Sequence, residues 1–128
     1  MLPYRTFAIT VILLIITVGC SSKQLLPNGE IDRIVISDEE SGQTLKEVTD
    51  PEIISAVVNT LNKAHTVSTG AIDMAAPEYN LKFLSPKQEE LLVLGYYDKA
   101  ITLNSVTGRY WHAEQDQFYG STYNLDLH

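Results

Sequence analysis

The chain has 128 residues, 45% of them hydrophobic and 20% charged, which leaves room for one ordinary domain with a modest core and excludes both a two-domain layout and general disorder. Sixteen acidic against nine basic side chains give a formal charge of -7, which disfavours nucleic acid and anionic headgroups as partners, because both need a basic surface. Cys20 is the one cysteine, so an internal disulfide and every paired-cysteine metal motif are excluded.

The N-terminal segment carries one charged side chain, Arg5, ahead of an uncharged aliphatic run over residues 7–18 and small residues after it. Charge, short apolar core and small residues are the layout of a secretory signal, and twelve residues fall well short of the about 20 that a bilayer-spanning helix needs. Thr17-Val18-Gly19-Cys20 resembles the lipobox of bacterial lipoproteins, with Thr17 where leucine is usual. The resemblance implies a diacylglycerol on Cys20 and cleavage before it. Residues 1–19 are then a signal peptide, 20–30 a lipidated polar tether and 31–128 the folded domain, whose charge falls to -8 once Arg5 is lost. Each buried methylene contributes about 0.8 kcal/mol, so two acyl chains hold where one holds only weakly. The alternative is an uncleaved anchor in which Cys20 is incidental; run length and flanking residues favour processing.

Pro27-Asn28-Gly29 ends the tether, and Ile31-Asp32-Arg33-Ile34-Val35-Ile36-Ser37 is rich enough in β-branched residues to predict a strand. A turn over residues 38–43 and a strand over 44–48 would complete a hairpin. The next segment predicts a helix: Asp50 as cap, Pro51 in the first turn, Glu52 at the positive end of the dipole, and Ile53, Ile54, Val57, Val58 and Leu61 as one apolar stripe. Lys63 and His65 close it, and residues 66–77 read as a loop. From Tyr79 the period changes to two: Tyr79, Leu81 and Phe83 alternate with Asn80 and Lys82, Ser85-Pro86-Lys87-Gln88 turns, and residues 91–97 form a near-continuous apolar strand. Gly95 within it marks either a bulge or a close backbone approach. A tight turn at Asp98-Lys99, a strand through Ile101 and Leu103, a turn at Thr107-Gly108 and a strand over 109–113 complete a meander. Residues 114–128 carry no assignment. The expected fold class is α+β: a single small domain with one amphipathic helix packed on a mainly antiparallel sheet of four to six strands.

Chemistry-bearing motifs are sparse. His65, His112 and His128 lack metal-ligand spacing, no nucleophile elbow or phosphate-binding glycine pattern occurs, and Asp38-Glu39-Glu40 has the wrong spacing for a calcium loop, so it reads as a solvated turn. Glu89-Glu90 reads as a charged strand entry. Neither a metal nor a cofactor is expected, and no catalytic residue is assigned. Seven of the eleven aromatic residues lie in the last third, and Tyr97, Tyr110, Trp111 and Tyr119 are the candidate binding face, with a core role for Trp111 as the ordinary alternative.

The order of anchor, strand, Thr49-Asp50-Pro51-Glu52 helix and the 79–83 and Tyr110-Trp111 strands resembles small, uncharacterised lipoproteins of Bacillus-type bacteria, the YhfM-like group in particular. That resemblance implies a Gram-positive cell-surface lipoprotein of unassigned role. Three functions remain open: a surface binding or accessory module holding a protein, peptide or glycan; an immunity or sequestering lipoprotein that intercepts a cationic extracellular peptide; and, least favoured, an enzyme.

Overall fold

A computed structural model describes residues 30–128; the expected signal peptide, Cys20 and nearly all of the expected tether lie outside the described residues. Strands β1 (Arg33–Asp38) and β2 (Thr44–Val48) form the expected hairpin, followed by helix α1 (Pro51–Lys63), β3 (Thr66–Ser68), β4 (Tyr79–Leu84), β5 (Glu90–Leu103), β6 (Val106–His112) and β7 (Gln117–Tyr119). All seven strands join one antiparallel sheet in the order β2-β1-β4-β5-β6-β7-β3. The described domain is thus a single helix on a single sheet, with seven strands where four to six were expected. The two additional short strands, β3 and β7, come from the predicted loop and from the unassigned tail, and they pair with each other at the sheet edge.

The helix begins where its cap predicts. The Asp50 carboxylate accepts from Glu52 N at 2.9 Å, with Pro51 in the first turn and Lys63 in the last. Its stripe of Ile54, Val57, Val58 and Leu61 is buried, whereas Ile53 falls to the flank and is exposed. The stripe packs on one sheet face formed by Ile34, Ile36, Leu81, Phe83, Leu92, Leu94, Tyr96, Tyr110 and Tyr119. The opposite face holds a smaller cluster in which Val67, Tyr97 and Phe118 are buried and Ile72, Met74, Ile101, Leu103, Val106 and Trp111 are partly covered.

Strand β5 corrects two predicted turns. Asp98-Lys99 does not turn the chain: β5 continues for 14 residues to Leu103. Tyr96 pairs with Tyr110 and Ile101 with Gly108, so residues 97–100 lie opposite Arg109 alone, an irregular bulge larger than the usual two residues against one. The Arg109 guanidinium fills it, donating through Nη1 to the carbonyl oxygens of Tyr97 (3.3 Å) and Asp98, and through Nε to that of Thr122 (3.1 Å). The hairpin turn falls instead at Asn104 and Ser105, with φ of 47° and 69°, the paired left-handed conformation of a type I′ turn. Thr107-Gly108 likewise lies inside β6. A β-carbon at Gly108 would overlap the Tyr119 carbonyl oxygen, because the chain leaving β7 crosses there and Ser121 O accepts from Arg109 N at 3.0 Å.

The segment after β7 has little regular structure and is nonetheless tied down. Tyr110 Oη donates to Tyr123 O (2.8 Å), Tyr96 Oη donates to Asn124 Oδ1 (3.3 Å) and accepts from Leu125 N (3.0 Å), and Lys46 Nζ on β2 donates to Leu125 O (3.3 Å). Leu125 is buried in the helix-side core. Residues 121–126 therefore act as a strap from β6 to β2.

Candidate functional site

The four aromatic residues singled out in the sequence do not form one face. Strand alternation sends Tyr110 and Tyr119 to the helix side, where Tyr110 is 0% and Tyr119 6% exposed. Tyr96 and Tyr110 meet edge to face there, with centroids 5.3 Å apart. Burial pushes the Tyr110 hydroxyl far up from its ordinary range and raises Tyr119 in the same direction. These two side chains are core and offer nothing to a partner. Tyr97 and Trp111 occupy the other face, with Phe118 edge-on to Tyr97 at 6.5 Å. Trp111 is half-buried, and its Nε1 donates to Thr69 Oγ1 at 3.0 Å.

Residues 69–78 lie across this second face and leave a cleft. Pro77 sits on Gly95: a β-carbon at Gly95 would stand 2.5 Å from Pro77 Cγ, so the sequence signal at Gly95 is a close approach of the loop. Tyr97 Oη donates to Ala75 O at 2.7 Å, and Thr69 is held by Trp111. Between these fastenings and the far half of β5 opens a cleft of about 350 Å³, walled by Met74, Ala75, Tyr97, Ile101 and Leu103 and edged by Asp73, Glu78 and Lys99. Burial, and secondarily the Glu78 carboxylate, push the Tyr97 hydroxyl up to about 12, so it is neutral and serves as a donor.

On the other side of the same loop lies a second hollow of about 490 Å³, lined by Asp38, Glu39, Glu40, Ala76, Pro77 and Glu78. Glu78 belongs to both. Its carbonyl oxygen accepts from Glu39 N (3.0 Å) and its Oε1 from Asp98 N (3.2 Å), which joins the β1–β2 turn to the β5 bulge. The Asp38 carboxylate accepts from Glu40 N (3.3 Å) and Ser41 Oγ (3.1 Å), so the acidic turn is internally ordered.

The three histidines stand apart. His112 is buried and accepts from Gln115 N through Nδ1 at 3.3 Å, His128 Nε2 meets Asp98 Oδ1 at 2.8 Å on the surface, and His65 lines a third hollow beside Lys63 and Ser121. Among the described residues no three His, Cys, Asp or Glu side chains converge as a metal set, and no described helix is long and apolar enough to cross a membrane. Sequence reasoning found Tyr97 and missed Met74, Ile101 and Leu103 as its companions. The available signal was the apolar pair Ile72 and Met74 inside an otherwise loop-like stretch.

Compared with protein-family models, with curated proteins and with solved structures, the chain matches none of them.

Proposed function

We propose that the protein is a lipoprotein anchored to the extracytoplasmic side of the cell membrane through Cys20, and that its domain is a binding or accessory module without catalysis. The anchor rests on the sequence: one charge, an apolar run too short to span, and the lipobox-like residues 17–20. The likeness to the YhfM-like lipoproteins belongs to the same proposal.

The binding role rests on one observation, the cleft under residues 69–78. Its walls are apolar and pre-formed, which suits contact with a partner's side chains. Its tyrosine favours holding over reacting, since the Tyr97 hydroxyl is committed to Ala75 O and raised out of the range of a base at neutral pH.

Two measurements test the two halves. Cys20→Ala should release the protein into the medium or stall its unprocessed precursor, read by fractionation and mass; a variant still processed and membrane-bound refutes the anchor. Crosslinking on intact cells from a photoreactive residue at position 103 should trap a discrete partner. Crosslinks confined to lipid, or none above those from an exposed position such as 53, refute the binding role.

A further inference from the structure

The cleft lies at a defined end of the domain. β1 starts at Arg33, near the first described residue, and runs to Asp38, so at about 3.3 Å per residue its far end stands roughly 17 Å from its start. Asp38 and the acidic turn are at that far end, and through Glu78 they border the apolar cleft.

Charge around the cleft is one-sided. Asp38, Glu39, Glu40, Asp73 and Glu78 line the two adjoining hollows against one cation, Lys99. None of the five carboxylates is ion-paired with a lysine or arginine side chain among the described residues, and Glu39, Glu40, Asp73 and Glu78 are exposed. The apolar walls adjoining them are incompletely covered: Met74, Ile101 and Leu103 pack against the second core cluster while still lining the opening.

We infer that this cleft docks a short cationic amphipathic peptide segment, an apolar side chain entering between Met74, Ile101 and Leu103 while flanking lysine or arginine side chains meet Asp73, Glu78 and the acidic turn. The inference rests on the binding-module reading and names its partner's chemistry. Apolar contact supplies the holding energy, and the acidic rim supplies approach rate and discrimination against anionic segments. Tyr97, buried and fixed by its bond to Ala75 O, forms a floor that needs no reordering on docking.

The test uses the full chain in phosphatidylcholine nanodiscs and two dye-labelled pentapeptides, Lys-Leu-Lys-Phe-Lys and Glu-Leu-Glu-Phe-Glu, followed by fluorescence anisotropy. The lipid background is the same for every variant and cancels. Expected are saturable binding of the lysine peptide alone, weakening at least threefold with added salt, and a further loss of threefold or more in Asp73→Asn/Glu78→Gln and in Leu103→Gln. The charge variant replaces exposed side chains, and the amide oxygen introduced by Glu78→Gln still accepts from Asp98 N, so it reads the rim without disturbing the fold. Equal binding of the two peptides, an affinity unchanged in both variants, or no saturable binding overturns the inference. Binding of the glutamate peptide that is lost in Leu103→Gln overturns the cationic partner while leaving the module reading intact; the latter fails only in the intact-cell crosslinking.

Discussion

Replacing Arg109 removes the group that fills the β5 bulge. Its guanidinium reaches three backbone carbonyl oxygens, those of Tyr97, Asp98 and Thr122, and stands 6.0 Å from the Tyr96 ring centroid. A hydrogen bond to a charged group is worth about 1.5–3 kcal/mol net. The bulge lies near the surface and water recovers part of the carbonyl solvation, which brings Arg109→Ala below the simple sum of three such bonds, to about 3 kcal/mol. For a domain of this size each kcal/mol moves the Tm by roughly 4–8 °C, so the loss is roughly 12–24 °C. Arg109→Lys keeps the charge and loses the fork, and should cost about half as much. Urea unfolding followed through Trp111, the one tryptophan, measures both. A cost for Arg109→Ala within about 0.5 kcal/mol, the range of an ordinary surface substitution, would show that the bulge is held by its flanking strands alone.

Gly95→Ala places a β-carbon 2.5 Å from Pro77 Cγ and should destabilise by about 1–3 kcal/mol, with most of the loss recovered in Gly95→Ala/Pro77→Gly; a double-mutant cycle with no coupling would remove the contact from the account. Tyr97 is neutral in the folded state up to about 12 against an ordinary 10.0, so its contribution is complete below 10.0 and is lost as pH rises through 12. Tyr97→Phe should flatten the alkaline end of the stability profile over that window, and an unchanged slope contradicts the assignment. Asp50→Ala removes the acceptor for Glu52 N and should cost about 1 kcal/mol in thermal unfolding, with Asp50→Ser close to wild type.

The elements that carry their own local signals were legible. The helix announced itself through Asp50, Pro51 and the 54-57-58-61 spacing, β1 through its β-branched residues and β4 through alternation, with β2 following as the return strand of a hairpin. The long β5 was not, because Asp98-Lys99 looks like a turn unless Arg109, eleven residues on, is known to fill the bulge. Strands β3 and β7 are three residues each and exist by pairing residues 66–68 with residues 117–119, a separation that no local window registers. For the candidate site, clustering of aromatics along the chain was visible while their division was not: Tyr110 and Trp111 are neighbours in sequence and point to opposite sides of the sheet. The cleft itself depends on where residues 69–78 come to rest, which the contact of Pro77 with Gly95 decides.

The strap over residues 121–126 has a consequence for the chain during its synthesis. β6 and β7 cannot shield Tyr96 and Tyr110 fully until Tyr123, Asn124 and Leu125 have arrived, and β3 waits for β7, its one strand neighbour among the described residues. An incomplete chain therefore presents phenol groups and an apolar surface without their partners, with the loop-closure entropy of the longest pairings still unmet. Residues 121–126 thus work as a latch on the helix-side core, closing only after the strands they cross are in place.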